Sequence, residues 1–413
     1  VCPTKPRPWG GRQAMSTEAV RSMPLGGTNR HWPLALTPEA LATFSEPTPV
    51  LLCDTSVVAA RYHKMRACLP EVGVSYALKC NPAPAMLRTL AGLGAGFEVS
   101  SRYELDLVRQ AGCPVGSALY SNTVKPPDHI RAAYQGGVRR FGFDGEQELH
   151  KLAANAPAGL VYVRLRVDDG QSLFPLSEKF GTSVDEARRL LLLAGDLGLR
   201  PYGVTFHVGS QCTDAGAWAR AIGQCGVLMR MLKIDGVELE MLDIGGGFPA
   251  AYCDPVPSFE DISAPIRAAL DRLPYRPSVL VAEPGRFLAA ESGVLVASVI
   301  GVGVRRDGPW AYLDVGGYNG LMETVQTGGR WRFPLRTDSR STAPMVPFTV
   351  TGPSCDSSDT MFYGAMLPAD LAEGQRLFIG SAGAYTTSYA SHFNGFPPPR
   401  ILFTDGQSVP SVW

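Results

Sequence analysis

The sequence predicts a parallel (β/α)8 barrel followed by an all-β domain. From residue 74 onward, eight short runs rich in β-forming residues follow one another, and segments with apolar residues at helical spacing separate them. Eight such units in succession form a closed barrel more readily than an open sheet. After residue 289 the β-rich runs continue with Gly and Pro between them and with few helical segments, which predicts the second domain.

The barrel strands are predicted at Val74–Cys80, Gly96–Ser100, Ala118–Asn122, Arg139–Asp144, Leu160–Val167, Gly203–Val208, Leu239–Gly245 and Ser278–Glu283. Three of the helices between them have clear sequence signals. Pro84 begins one helix, and Ser101-x-x-Glu104 is a capping-box pattern that begins the next. A leucine-rich helix is predicted from Ser183 to Gly198.

The strands of the second domain are predicted at Val294–Val304, Ala311–Val315, Pro347–Val350, Arg376–Gly380 and Arg400–Phe403. A further strand near residues 45 to 53 is expected to join them. The sequence therefore divides into a tail (1–28), an N-terminal segment that packs with the β domain (29–53), the barrel (54–288) and the β domain (289–413). The tail is rich in Pro, Gly, Arg and Ser and lacks the apolar region of a secretory signal.

The composition narrows the class of protein. The 413 residues include 45% hydrophobic and 18% charged residues, and the 38 basic side chains balance the 38 acidic ones. Zero net charge argues against a nucleic-acid or anionic-membrane partner, and no apolar run is long enough to span a membrane. The nine cysteines are scattered without CxxC pairs, which is typical of a reduced, cytoplasmic protein. The six histidines show no metal-binding spacing, so no metal centre is expected.

Polar side chains are predicted at the carboxyl ends of the barrel strands: Lys79, Glu98, Asp144, Arg164 with Arg166, His207, Asp243 and Glu283. Active sites of (β/α)8 barrels lie at this edge, and packing alone does not require so many polar groups there. Lys79 is either a surface lysine or an amine that forms a Schiff base with an aldehyde cofactor.

Three more motifs have two interpretations each. The glycines of DIGGGFP form either a tight turn or a phosphate cradle of backbone N–H groups. In EPGR, the two charged residues form an ion pair, or Arg286 binds a phosphate while Glu283 keeps a ring nitrogen protonated. In FHVGSQ, His207 is a buried core residue or stacks on a planar cofactor, with Ser210 as a phosphate donor.

Together the motifs resemble one family. YALKCN, FEVSS, the R-L-R at 164–166, EKFG, HVGSQ, DIGGGFP, EPGR, GPSCDSSD and GAYTTSYASHFNGF occur in this order. The set closely resembles the fold-type III decarboxylases that use pyridoxal 5′-phosphate (PLP), which act on ornithine, lysine, diaminopimelate or arginine, and the C-terminal motifs are most similar to the ornithine/lysine branch. The resemblance runs from about residue 45 to the C-terminus. It implies a PLP-binding TIM barrel with an alanine-racemase-like β domain, and decarboxylation of a basic or diamino acid at Cα.

The resemblance also implies roles for the residues at the barrel edge. Lys79 would form the Schiff base with PLP, Glu283 would pair with the pyridine nitrogen, and His207 would stack on the ring. Glu98 and Arg164 would support the ring and the lysine from the side. The phosphate ligands would be Ser210, Gly245, Gly246, Gly247, Arg286 and Tyr385.

A further implication is a head-to-tail homodimer with shared active sites. Cys355 would enter the neighbouring subunit's site as the acid that protonates Cα, since the pKa of a thiol is within reach of neutral pH. Lys179 would help to hold the subunits together. The candidate substrate-binding residues are Asp356, Phe393, Tyr318 and Glu323.

The sequence departs from the family pattern at one position. In the diamine-forming members, a short helix carries an acidic residue that binds the distal ammonium group of the substrate. Counted from Tyr318, that position falls near Thr327, which has no carboxylate; Glu323 lies one turn earlier, and Arg330 and Arg332 follow. Loss of a buried carboxylate that pairs with an ammonium group weakens binding strongly. We therefore expect a substrate other than plain ornithine or lysine, such as a modified or longer amino acid.

Three alternatives stay open. A diaminopimelate-like or other carboxylate-bearing amino acid could be the substrate. A racemase of the same fold would need a second catalytic base, typically a tyrosine, so the Cys355-Asp356 pair favours decarboxylation. A non-catalytic regulator would have lost the Lys79, Gly-Gly-Gly or Glu-Pro-Gly-Arg positions, and all of them are present.

Overall fold

The computed structural model describes Trp32, Leu36, Leu41 and residues 44–329, 331–338 and 341–406. The predicted tail (1–28), Arg330 and about half of the predicted segment 29–53 lie outside this described part. The strands are β1 (Val50–Asp54), β2 (Gly73–Ala77), β3 (Gly96–Val99), β4 (Leu119–Tyr120), β5 (Arg140–Phe143), β6 (Leu160–Arg164), β7 (Ser172–Phe174), β8 (Arg200–Thr205), β9 (Ser210–Cys212), β10 (Met241–Asp243), β11 (Val279–Ala282), β12 (Gly293–Arg305), β13 (Gly308–Leu313), β14 (Leu335–Thr337), β15 (Met345–Thr351), β16 (Thr360–Pro368), β17 (Arg376–Ile379) and β18 (Arg400–Thr404). The α-helices are α1 (Thr55–Cys68), α2 (Pro84–Gly92), α3 (Arg102–Gln110), α4 (Pro127–Gln135), α5 (Glu146–Asn155), α6 (Val184–Asp196), α7 (Ala217–Ile234), α8 (Phe259–Leu270), α9 (Arg286–Ala289) and α10 (Met322–Gln326).

The predicted barrel is confirmed. Strands β2, β3, β4, β5, β6, β8, β10 and β11 form a closed parallel barrel in which β11 pairs back onto β2. Most of these strands end earlier than predicted: Leu160–Val167 is shortened to Leu160–Arg164, and the strand predicted at Gly203–Val208 ends at Thr205. Lys79 therefore lies in a 3-10 turn, Leu78–Cys80, and not in a strand. The polar residues predicted at the strand ends lie near or just after the carboxyl ends of the barrel strands. This edge is the mouth of the barrel.

The predicted helix starts are largely confirmed. Pro84 is the first residue of α2, and the Ser183 side chain caps α6. Ser101 caps α3 by accepting the Glu104 N–H at 3.2 Å. The Glu104 carboxylate, however, accepts the N–H of Ser100 and not that of Ser101, so the predicted capping box is only half formed.

The second domain is built on one mixed sheet. Its strand order is β14-β17-β12-β13-β15-β16, and β1 joins it between β12 and β18. Leu51 of β1 lies opposite Leu295 on one side and Ile401 on the other. The all-β prediction needs one correction, because a π-helical turn at Gly317–Leu321 continues into α10. No described helix is both long and apolar enough to cross a membrane.

A buried lysine, Lys125, lies beside β4 and β5 of the barrel. The Lys125 amine lies 3.0 Å from the Glu148 carboxylate and donates to the carbonyls of Asn122 (2.7 Å) and Gly142 (2.5 Å). The Lys151 amine also contacts Glu148, at 2.5 Å. Burial lowers the pKa of Lys125 to about 8, although Glu148 opposes this shift. The lysine thus links the loop after β4 to strand β5 and helix α5 through a charge that solvent does not reach.

We expect Lys125→Met to destabilise the protein by about 3 kcal/mol, because it removes one of the two amines paired with a buried carboxylate and a donor to two carbonyls. Urea unfolding measures this change. The control is Lys64→Met, whose ion pair with Glu260 is exposed (42% and 55% for the two side chains) and should change stability by less than about 1 kcal/mol. Equal effects of the two substitutions would contradict the structural role of Lys125.

Candidate active site

Lys79 and Glu98 form the first contact at the mouth. The turn after β2 carries Lys79, and its amine lies 3.0 Å from the carboxylate of Glu98 on β3. Glu98 is buried, whereas the Lys79 side chain is 42% exposed. Burial alone would lower the pKa of the Lys79 amine, but Glu98, Tyr385 and Glu283 together raise it above its ordinary value. The amine is therefore held in place as a cation.

Glu283 lies directly after β11 and is almost fully buried. Ser121 donates a hydrogen bond to its carboxylate, and the Tyr162 hydroxyl lies 2.8 Å from that of Ser121. Burial, with the nearby acids Asp243 and Glu98, raises the pKa of Glu283 well above its ordinary range. This shift brings the pKa of Glu283 closer to that of a basic ring nitrogen, with which the carboxyl group could share a proton.

His207 follows β8 as a neutral imidazole. Its Nδ1 accepts the N–H of Gly209 at 3.0 Å, which requires that nitrogen to be unprotonated. Burial, reinforced by the positive charges of Arg164 and Lys79, lowers the pKa of His207 well below its ordinary value. The guanidinium of Arg164 lies 5.5 Å from the ring of Phe180. The neutral, flat imidazole of His207 is suited to stacking on a planar cofactor.

The three glycines after β10 lie where any side chain would collide with neighbouring backbone atoms. A Cβ on Gly247 (φ +97°) would lie 2.3 Å from the carbonyl oxygen of Gly209. A Cβ on Gly246 would lie 2.6 Å from the carbonyl oxygen of Glu283, and one on Gly245 (φ +65°) would meet the backbone of Phe206. Glycine is thus required, and the backbone comes close to the mouth as a phosphate cradle needs.

Arg286 follows Glu283, whose backbone N–H donates to the carbonyl of Gly245 at 2.8 Å. Its guanidinium donates to the Ser210 hydroxyl from Nη2 at 3.1 Å and from Nε at 3.3 Å. It also lies 4.6 Å from the ring of Trp331 and 4.7 Å from the ring of Tyr385. The predicted phosphate ligands Ser210, Arg286 and Tyr385 are thus brought together. Trp331 was not predicted, since nothing in the sequence links it to a motif 45 residues earlier.

The remaining donors of Arg286 contact two other side chains. Glu323 accepts from Nη2 at 2.6 Å and from Nη1 at 3.0 Å, and Nη1 also donates to the Tyr252 hydroxyl at 3.0 Å. Glu323 therefore lies at the predicted phosphate end of the site. Its predicted contact with the substrate stays a prediction.

Four other predicted residues form a second cluster in the β domain. The Tyr318 hydroxyl donates to the Asp356 carboxylate at 2.9 Å, and the rings of Tyr318 and Phe393 lie 4.8 Å apart. The exposed thiol of Cys355 lies 3.2 Å from Oδ1 of Asn394, a residue that the motifs did not single out. Hydrogen bonds from the Ser358 N–H and from Tyr318 lower the pKa of Asp356. This cluster combines a thiol, a carboxylate and an aromatic wall.

The position predicted to lack an acid is Thr327, at the end of α10. It is buried, and its hydroxyl donates to the carbonyl of Glu323 at 2.9 Å. Arg332 forms an ion pair with Asp254 at the surface. Lys179, predicted to act between subunits, lies 4.9 Å from the ring of Phe180. Within the described ranges, His, Cys, Asp and Glu form no cluster of three or more that could hold a metal ion.

The residues at the mouth fit PLP group by group. An amine is paired with Glu98, the buried acid Glu283 could share a proton with a ring nitrogen, a neutral imidazole can cover a ring, and a glycine segment with serine and arginine can hold a phosphate. Lys79, Glu283, His207 and Arg286 would hold the cofactor. It would supply an electron-accepting ring conjugated to the substrate's Cα.

Comparisons with known proteins agree with this fit. Residues 55–290 match the family model of the pyridoxal-binding domain of pyridoxal-dependent decarboxylases. A lysine/ornithine decarboxylase of Selenomonas ruminantium is 37% identical over 370 residues, 87% of this chain and 90% of that protein. Ornithine decarboxylase of Mus musculus is 31% identical over 85% of this chain and 79% of its own. Antizyme inhibitor 2 of Xenopus laevis is 33% identical over 85% of this chain and 80% of its own.

Solved structures give the same result. SrLDC in complex with PLP and cadaverine superposes with a TM-score of 0.82 at 35% identity, covering 90% of this chain and 93% of that one. The lysine/ornithine decarboxylase of Vibrio vulnificus complexed with cadaverine has a TM-score of 0.81 at 33% identity, over 89% and 97% of the two chains. The chain therefore belongs to the fold-type III PLP-dependent amino-acid decarboxylases, in the branch of the ornithine and lysine enzymes.

Proposed function

We propose that this enzyme decarboxylates a basic or diamino acid at Cα, using PLP bound to Lys79. The carboxylate leaves as CO2 when the bond between it and Cα breaks, and a proton replaces it on Cα to give an amine. The observation that carries the proposal is the Lys79–Glu98 contact at a mouth that also holds the buried Glu283, whose pKa is raised. Relatives whose names or complexes include lysine, ornithine, cadaverine or putrescine support the choice of a basic substrate.

The residues at the mouth would have separate roles. Glu283 would share a proton with the ring nitrogen, which would keep the ring able to accept electrons from Cα. His207 would cover one face of the ring as a neutral imidazole and add no charge there. Glu98 orients the Lys79 amine, and Arg164 would support the ring and the lysine from the side. Ser210, Arg286, Tyr385 and the glycines Gly245, Gly246 and Gly247 would hold the phosphate.

We further propose a homodimer in which the second cluster completes the partner's site. Cys355, hydrogen-bonded to Asn394, would donate the proton to Cα, and Asp356 would bind the distal end of the substrate. Phe393 and Tyr318 would line the pocket, and Lys179 would contact the other subunit. The mouth in one subunit and the thiol cluster in the other would then be needed together.

Mixed dimers test this proposal. Lys79→Ala and Cys355→Ala should each be strongly impaired. If the sites are shared, an equal mixture that has exchanged subunits should recover up to about a quarter of wild-type activity, because half of the dimers contain one intact site. Absence of recovery, with exchange verified by native mass spectrometry of tagged subunits, would contradict a shared site.

For the substrate, we propose a modified or longer relative of ornithine or lysine. Thr327 offers a hydroxyl, bound to a backbone carbonyl, where a carboxylate was expected to read the distal ammonium. We expect kcat/KM for L-ornithine and L-lysine to be about tenfold or more below that for the preferred substrate, the size of one lost charged contact. Steady-state kinetics with N-acylated, β-substituted and longer diamino acids measures this ratio, and efficient turnover of unmodified L-ornithine would refute it.

We also propose a cytoplasmic location and a role in polyamine or specialised amine metabolism. The scattered cysteines support the first point, since the eight described ones are all free thiols. A second candidate function is a binding decoy, which the similarity to antizyme inhibitor 2 favours. The intact Lys79 and Glu283 weigh against it, and absence of bound PLP in the purified protein would favour it.

A further inference from the structure

Arg286 and Glu323 form a buried ion pair between the two domains. Arg286 begins α9 at the barrel, and Glu323 lies in α10 of the β domain. Both carboxylate oxygens accept from the guanidinium, at 2.6 and 3.0 Å, and the two side chains are only 3% and 8% exposed. The guanidinium of Arg286, which we propose to bind the cofactor phosphate, is therefore already paired with a carboxylate of the same chain.

Glu323 is not needed to orient Arg286. The guanidinium is also hydrogen-bonded to Ser210 and to the Tyr252 hydroxyl. The rings of Trp331 and Tyr385 pack on it at 4.6 and 4.7 Å. These contacts on several sides would keep the side chain in place if the carboxylate were replaced by an amide of the same shape.

The negative charge of Glu323 matters more for protein stability and phosphate binding than its hydrogen-bond geometry does. A buried arginine without an opposite charge is strongly destabilising, so Glu323 stabilises the protein when no other anion lies beside Arg286. A phosphate, which carries about two negative charges at neutral pH, would share the same guanidinium with the carboxylate. In a site sheltered from water, the two anions repel each other.

Resting on the proposed PLP function, we propose that Glu323 is the counter-ion of the phosphate anchor Arg286. It stabilises the cofactor-free enzyme and weakens the binding of the phosphate. This places Glu323 at the cofactor end of the site, and not at the distal end of the substrate. Removal of its charge should then raise phosphate affinity and lower the stability of the free protein.

The test compares wild type with Glu323→Gln as full-length apoenzymes, from which PLP has been removed with hydroxylamine. PLP and, separately, inorganic phosphate are titrated by calorimetry, and the Tm is measured with and without PLP. We expect Glu323→Gln to bind both ligands about tenfold or more tightly. Its Tm should fall without PLP and return close to the wild-type value with PLP, because the ligand stabilises the folded state by linkage.

Glu291→Gln is the matched control. Glu291 is similarly buried (its side chain is 9% exposed), pairs with Arg61 and accepts the N–H of Ala251 at 3.1 Å. Among the described residues, no hydrogen bond or ion pair joins Glu291 to Arg286. This variant should lose Tm equally with and without PLP and should keep the wild-type affinity for both ligands.

Two results would overturn the proposal. Unchanged or weaker binding of PLP and phosphate to Glu323→Gln would show that its charge does not oppose the phosphate. A raised KM for the amino acid with unchanged PLP affinity would return Glu323 to the substrate end. If inorganic phosphate binds more tightly to the variant but neither protein attaches PLP to Lys79, the counter-ion is supported and the proposed function fails.

Discussion

Substitution of Lys79 by Ala should lower kcat/KM by about 10³-fold or more, because the variant can neither bond to the cofactor nor move a proton at Cα. The fold should survive, since the side chain is 42% exposed and its ion pair is with the single carboxylate of Glu98. Borohydride reduction followed by peptide mass spectrometry should find pyridoxyl phosphate on Lys79 in wild type and on no peptide of the variant.

Lys79→Arg is the control that separates charge from chemistry. Arginine keeps a cation beside Glu98. It does not form a stable bond with an aldehyde near neutral pH, because its guanidinium stays protonated. We expect this variant to be as inactive as Lys79→Ala. If Lys79→Arg retained more than a tenth of wild-type activity, the lysine would act through its charge alone, and the proposed role would be wrong.

Substitution of Glu283 by Gln should have the second-largest effect, a fall in kcat of about 10²-fold or more. Glutamine is isosteric and can still accept from Ser121, but it has no acidic proton to share with the ring nitrogen. PLP should still attach to Lys79, so the loss should appear in kcat and not in cofactor content. Steady-state kinetics and the visible spectrum of the variant measure the two quantities.

Ser121→Ala is the matched control for Glu283→Gln. It removes one hydrogen bond to the Glu283 carboxylate and leaves the acid itself in place. We expect it to reduce kcat less than about tenfold, in line with the loss of one hydrogen bond. A wild-type kcat for Glu283→Gln would show that the carboxyl group of Glu283 is not required.

The barrel could be predicted from the sequence because its signal is local and repeated. Each strand is a short β-rich run, and each helix has its own apolar spacing. The strand ends could not be predicted, because residues such as His207 continue a β-rich run while the backbone has already left the sheet at Thr205. The helical stretch 317–326 gives no clear helical pattern of its own, because Gly317 and Gly320 interrupt it, and only the family resemblance implied a short helix there.

The site could be predicted in part for the same reason. Lys79, His207 and Glu283 each follow a recognisable strand, so their meeting at one edge follows from the fold class. The pair of Arg286 and Glu323 could not be predicted, because it joins residues 37 positions apart in different domains. Glu323 was a candidate substrate-binding residue one turn before the expected acidic position at Thr327, whereas in the structure its carboxylate accepts from the Arg286 guanidinium. Such contacts depend on how the domains pack, which no local pattern encodes.

The most direct test of the account is product analysis of the PLP-loaded enzyme by mass spectrometry. The panel would contain L-ornithine, L-lysine, L-arginine, meso-diaminopimelate, their D-isomers and N-acylated or β-substituted diamino acids. We expect a basic or modified basic amino acid to yield CO2 and the matching amine, and we expect Lys79→Ala to yield neither. A panel that gives only racemised amino acids, or no product although PLP is bound to Lys79, would contradict it.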